Sequence, residues 1–161
     1  MDDAGRIEPG LYDSDGVAWA ETQAAALRRR QAGHNLLDYD NLAEEIEDVG
    51  KSITGACRSY LAVIVEHLLK LEFLVQPDDY NGWRRSVRAA RYSLRDELTP
   101  TLRQRLPDEV AEIAARQAAL LAEGALIEDA SAVLAALGGG YSWEQLTDVD
   151  WYPPPRSDET P

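Results

Sequence analysis

The chain has 161 residues, one domain by length, and 45% of them are hydrophobic, which excludes wholesale disorder and permits a core without covalent staples. A net charge of −13 repels nucleic acid and anionic membranes at long range. The single cysteine, Cys57, excludes an intramolecular disulfide and a cysteine-cluster metal site.

Residues 1–10 read as a loose start, acidic and without an apolar signal core. The first helix is expected over residues 15–32. Val17, Ala20, Ala24 and Leu27 fall at helical spacing, Asp13 or Ser14 is the expected cap, and Gly33 is the expected stop.

The second helix, residues 41–73, has the clearest periodicity. Asp40 serves as cap, and Glu44 and Glu45 sit where the helix dipole favours negative charge. Leu42, Ile46, Val49, Ile53, Ala56, Tyr60 and Val63 alternate steps of four and three, which predicts one buried stripe. Cys57, Leu61, Ile64, Leu68 and Leu71 add a second stripe, so the second half should touch neighbours on both sides. Gly50 and Gly55 each weaken the first half by about 1 kcal/mol relative to Ala.

Gln76-Pro77-Asp78-Asp79 breaks the chain before a third helix over residues 81–98, whose stripe is Trp83, Val87, Ala90, Leu94 and Leu98. Thr99-Pro100 opens a short helical turn. A fourth helix starts at Pro107, with Val110, Ile113, Ala114, Leu120 and Leu121 as its inner face. A short helix follows over residues 129–137, closed by Gly138-Gly139-Gly140. Ser142 and Gln145 have capping-box spacing around a final short helix, and residues 154–161 form a flexible, proline-rich tail. No alternating strand pattern appears. The expected fold is all-α: an irregular bundle of about four main helices plus short terminal ones, spanning residues 11–153 as one domain.

Candidate chemistry lies in two charge clusters. Glu44, Glu45, Glu47 and Asp48 crowd one stretch of the second helix. A di-iron site would need Glu-x-x-His motifs, but the residues three before the two histidines are Gln31 and Ile64. An all-carboxylate Mg²⁺ site is the remaining metal option, and a solvated or ion-paired face is preferred to it. On the third helix Arg84, Arg88, Arg91 and Arg95 step by four, three and four, with Arg85 beside them and no acid between Arg84 and Arg95. Guanidinium groups grip phosphate in bidentate fashion. Pairing between this row and the acidic block, within the chain or across a dimer, explains both clusters and is the preferred reading. His67 is expected to be packed and hydrogen-bonded, and Cys57 to be a buried small hydrophobe. Gly50-Lys51-Ser52 ends like a phosphate-binding loop, but position 45, where that loop needs glycine, is Glu45.

Other residues carry a resemblance. Tyr12-Asp13-x-Asp15 with Ala18-Trp19, then Asn41-Leu42-Ala43-Glu44-Glu45-Ile46-Glu47-Asp48-Val49-Gly50, are the first blocks. His67-Leu68-Leu69-Lys70, Gln76-Pro77, Trp83, Tyr141-Ser142-x-Glu144-Gln145-Leu146 and Asp150-Trp151-Tyr152-Pro153 follow. Together these resemble the uncharacterised bacterial family called domain of unknown function twenty-nine. The chain departs mildly from it at Phe73, where the family often places a tryptophan or similar aromatic near Lys70. The resemblance implies a small helical fold and a bacterial source. It carries over no catalytic residue.

These features lead to the expectation of a non-enzymatic binding or assembly protein of the bacterial cytoplasm, a homodimer or the partner of another protein, with no cofactor and no membrane contact. The alternative is nucleic-acid or phosphate-ligand binding through the arginine row, and a carboxylate-metal enzyme is the least favoured reading.

Overall fold

The computed structural model of the chain describes residues 10–29, 39–74 and 80–156. The expected loose start over residues 1–9, the Gly33 stop, His34 and the Gln76-Pro77 breaker lie outside the described residues. The fold is an all-α helical bundle, with no strand among the described residues. The single domain expected over residues 11–153 is resolved more finely, into two compact units: Met1–Ala56 with Leu98–Gln104, and Cys57–Glu97 with Arg105–Pro161.

In the first unit, α1 (Leu11–Ser14) precedes α2 (Gly16–Arg29). The cap of α2 is Asp15 and not the expected Asp13 or Ser14. Its Oδ1 accepts from the Ala18 amide at 3.0 Å, satisfying a helix-start donor. Its Oδ2 accepts from the Thr101 amide at 2.6 Å, tying in the start of α5 (Pro100–Arg105). Burial alone would raise the Asp15 pKa, but the amide and hydroxyl hydrogen bonds at Ala18, Thr101 and Thr99 outweigh it and hold the carboxyl below its usual value.

Helix α3 (Tyr39–Phe73) is one uninterrupted helix of 35 residues. In its first half the buried line is Ala43 and Gly50, not the stripe expected from sequence. Leu42 is 39% exposed and Val49 46% exposed, while Ile46, Ile53, Ala56, Tyr60 and Val63 are half-buried. The reason is steric. A Cβ on Gly50 would sit 3.3 Å from the Ala20 Cβ, so small residues at 20 and 50 let α2 approach α3 there. That close approach rotates the apolar stripe to the flank of the contact. A Cβ added at Gly55, by contrast, would have nothing within 4 Å. In the second half Cys57, Leu61, Ile64, Leu68 and Leu71 are buried as expected, joined by Val65 and Leu69.

The second unit adds α4 (Tyr80–Glu97), whose Val87, Ala90 and Leu94 are buried along with Arg91. A 3₁₀ turn (Leu106–Glu109) leads into α6 (Val110–Glu123), which therefore starts later than the expected Pro107. Val110, Ala114 and Leu121 face inward; Ile113 is half-buried and Leu120 is 50% exposed, so the inner face is rotated toward Gln117 and Ala118. Helix α7 (Ala130–Ala136) packs on α6; its cap Asp129 accepts from the Ser131 amide at 2.7 Å. Gly138 and Gly139 take positive φ of 65° and 103°, which ends the helix as the glycine run implies. Helix α8 (Trp143–Thr147) begins with the expected capping box of Ser142 and Gln145.

Beyond α8 the chain is anchored at least to Arg156. Its amide donates to the Glu72 carbonyl at 2.8 Å, its Nε to Glu72 Oε1 at 2.8 Å, and its Nη2 to the Ala136 carbonyl at 3.0 Å. Residues 157–161 of the expected flexible tail lie outside the described residues. Glu72 also accepts from the Tyr141 hydroxyl at 2.9 Å; burial, then the Glu72 charge, pushes the Tyr141 pKa far up, keeping the phenol protonated as donor.

Candidate functional site

The four arginines predicted as one row do four different things. Their spacing places them on neighbouring turns of α4, but the face of α4 that carries Val87, Ala90 and Leu94 inward takes Arg91 with it. Arg91 is only 2% exposed. Its Nε donates to the Leu146 carbonyl at 2.9 Å, Nη2 to Gln145 at 2.7 Å and Nη1 to Trp151 at 2.8 Å. The first two acceptors belong to the last turn of α8, where carbonyls lack helical partners. Burial lowers the Arg91 pKa, opposed mainly by Tyr152 and Asp148. Arg91 is thus a structural clasp between α4 and the C-terminal segment, with each of its three guanidinium nitrogens bonded, and it leaves the set of candidate ligand-binding groups.

Arg95 stands at the far end of α4, its guanidinium 4.9 Å from the Tyr92 ring and 3.4 Å from Asp96 Oδ1. Arg84 is held flat. Its Cζ lies 4.0 Å from the Tyr152 ring centre and 5.8 Å from that of Tyr80, and the Tyr152 hydroxyl donates to the Arg84 carbonyl at 3.1 Å. Cation–π contact of this kind fixes the plane of the guanidinium while leaving its edge donors unused. Arg84, Arg85, Arg88, Asn81 and Tyr152 together line an open recess of about 340 Å³. Arg85 and Arg88 are exposed and form no ion pair among the described residues.

This recess is the candidate site. Its arrangement suits an anion: a planar fork pre-set by an aromatic ring, two exposed guanidinium groups and an amide side chain. Like charges at positions i and i+4 of a helix cost a few tenths of a kcal/mol, so Arg84 and Arg88 gain when an anion sits between them. Sequence reasoning named Arg84 and Arg88 and noted Arg85 as their neighbour. It did not find Asn81 or Tyr152, because Tyr152 lies 68 residues along the chain from Arg84. It also counted Arg91 and Arg95 into a site that they do not line.

The acidic block behaves differently. Glu47 Oε2 accepts from Arg28 Nη2 at 2.8 Å, and this bond, before the Arg28 and Lys51 charges, lowers the Glu47 pKa. Lys51 lies 2.8 Å from Asp48 and 3.6 Å from Glu47. Glu47 and Asp48 thus have local partners within the first unit. Glu44 and Glu45 are exposed, with no ion pair among the described residues. No group of three or more His, Cys, Asp or Glu among the described residues is placed to hold a metal ion.

The remaining singled-out residues are structural. His67 Nδ1 donates to the Val63 carbonyl one turn back at 2.9 Å. Cys57 is buried, and burial, then the Glu97 charge, pushes its thiol pKa up and suppresses thiolate chemistry. A second recess, of about 630 Å³, is lined by Arg58, Glu109, Arg116 and Leu120 among others. There Arg58 and Glu109 already satisfy one another through bonds of 2.6 and 2.7 Å. No helix among the described residues is long and apolar enough to cross a membrane.

A family model described as "Domain of unknown function DUF29" matches residues 11–152. Among solved structures, the chain is similar to an alpha-helical protein of unknown function from Rhodospirillum rubrum. That match has 23% identity over 86% of this chain and 90% of that one, with a TM-score of 0.60. At that identity the likeness is one of fold. No curated protein matches the chain.

Proposed function

The chain belongs to the family described as domain of unknown function DUF29, and we propose that it is a non-enzymatic binding protein of the bacterial cytoplasm, which takes an anionic group at the α4 recess. One observation carries this reading: Arg84 is clamped on Tyr152, while Arg85 and Arg88 beside it have no carboxylate partner among the described residues. In a chain of net charge −13, an acid-free cluster of guanidinium groups in which Arg85 and Arg88 have no ion pair among the described residues is a local inconsistency of the kind that functional sites tolerate.

A single phosphate or carboxylate group suits the recess better than a nucleic-acid strand. A strand presents a run of phosphates to a strongly acidic protein. Tyr152 is also ill placed to stack a base, because the Arg84 and Arg91 guanidinium groups lie 4.0 and 5.2 Å from its ring centre. Catalysis has no support from the same groups, since the described residues lining the recess include no general base and His67 serves a backbone carbonyl.

The test is a titration with inorganic phosphate and with pyrophosphate, followed by the Nε–H resonances of the arginines. The signals of Arg84, Arg85 and Arg88 should move together and saturate, while those of Arg91 and Arg95 stay. Arg88→Gln should weaken binding about tenfold, the loss of one charge-assisted bond. An unsaturable response, or equal affinity in Arg88→Gln, rejects the site.

A further inference from the structure

The arginines of the recess occur at positions 84, 85 and 88. The exposed carboxylates of the acidic block occur at positions 44, 45 and 48, the same i, i+1, i+4 spacing on a helix. The match has a definite sense. When two helices face each other antiparallel, Glu44 comes level with Arg88 and Asp48 with Arg84. Glu45 and Arg85 then fall on the same flank, two residues or about 3 Å apart along the axis. Parallel helices would put that last pair on opposite flanks. Spacing of this kind favours an ordered helical partner over a free ion.

We infer that the anionic group taken by the recess is the acidic face of α3 in a second copy of this chain. This inference rests on the anion-binding reading above and adds its occupant. One further feature agrees with it: on α4, Tyr92, one turn beyond Arg88 and on the Arg85 flank, is 41% exposed, and a small inorganic anion makes no use of it.

Lys51 does not block the contact. Its bond to Asp48 joins two exposed side chains, and such pairs hold weakly and exchange readily. Each copy carries both surfaces, so the pairing either closes into a two-fold dimer with two such contacts or extends as a chain of copies. Because the contact is largely ionic and near the surface, it weakens as salt rises.

The experiment is sedimentation velocity on the full chain at low and high ionic strength, with two charge-reversed variants, Arg85→Glu/Arg88→Glu and Glu44→Lys/Glu45→Lys. Wild-type protein should associate at low salt and dissociate at high salt. Each variant alone should be monomeric with an unchanged helical circular-dichroism spectrum. Mixed together they should associate again, because each reversed surface meets its complement. Should either reversed variant fail to fold, the neutral pair Arg85→Gln and Glu45→Gln serves instead, each weakening association about tenfold. A monomeric wild type at low salt, association that persists in the arginine-reversed variant, or a mixture that stays monomeric overturns the inference. The phosphate titration separates the two levels. A monomer whose recess still binds phosphate loses only the second copy as occupant, whereas a monomer that binds no phosphate loses the anion site as well.

Discussion

Replacing Arg91 with methionine is the sharpest perturbation the structure offers. The substitution keeps an unbranched side chain in the space but removes every donor. The carbonyl oxygens of Gln145, Leu146 and Trp151 then lose bonds of 2.7, 2.9 and 2.8 Å. A hydrogen bond to a charged group contributes about 1.5–3 kcal/mol, and three of them sum to about 4.5–9 kcal/mol gross. Burying the guanidinium costs several kcal/mol, which the substitution recovers. Taking several kcal/mol from that sum leaves a net loss of roughly 1–5 kcal/mol, at its upper end a large fraction of the ~5–15 kcal/mol that holds a typical domain together. Arg91→Lys should fall between, since a single ammonium cannot span three carbonyls in the fork that a guanidinium reaches. The assay is urea unfolding followed by tryptophan fluorescence, together with acrylamide quenching of Trp151. The expected result is a lower midpoint and a more accessible Trp151. An Arg91→Met protein within ~0.5 kcal/mol of wild type, with Trp151 equally shielded, would refute the reasoning, because the carbonyls would then be finding water at no cost.

Asp15→Ala should destabilise the first unit by about 2 kcal/mol, since it removes both the cap of α2 and the bond to the Thr101 amide; the Trp19 fluorescence transition measures it. The Asp15 carboxyl is held below its usual 3.8, so its contribution is present above that value and is lost as pH falls through the lower folded-state pKa; an acid titration of the wild type against Asp15→Asn should show the difference between them closing only there. The two glycines of α3 should part company in thermal melts. Gly55→Ala fills open space on a helix and should gain about 0.5–1 kcal/mol, while Gly50→Ala must displace the Ala20 Cβ 3.3 Å away and should gain nothing or lose stability.

What the sequence determined by itself is local. The 35-residue α3, the capping box of Ser142 and Gln145 and the glycine stop after α7 are all set by residues within one or two turns of each other. Hydrophobic period, caps and positive φ are short-range constraints, so they survive without knowledge of the fold. The two charge clusters were equally plain, because charge and spacing are written directly in the chain.

Which face of each helix turns inward was decided by tertiary packing. The apolar stripe from Leu42 to Val63 satisfies the helical period, yet the small residues Ala20 and Gly50 offered a closer approach, and close packing outweighed it. Arg91 is the same lesson in reverse. Its period places it among the other arginines, and only the folded chain supplies, 54 to 60 residues away, the three carbonyls that make its burial tolerable. Tyr152 joins the recess for the same long-range reason. Charge placement is thus legible in a sequence, whereas the desolvation that turns one arginine into a clasp and leaves its neighbours open to a ligand depends on what lies across the fold.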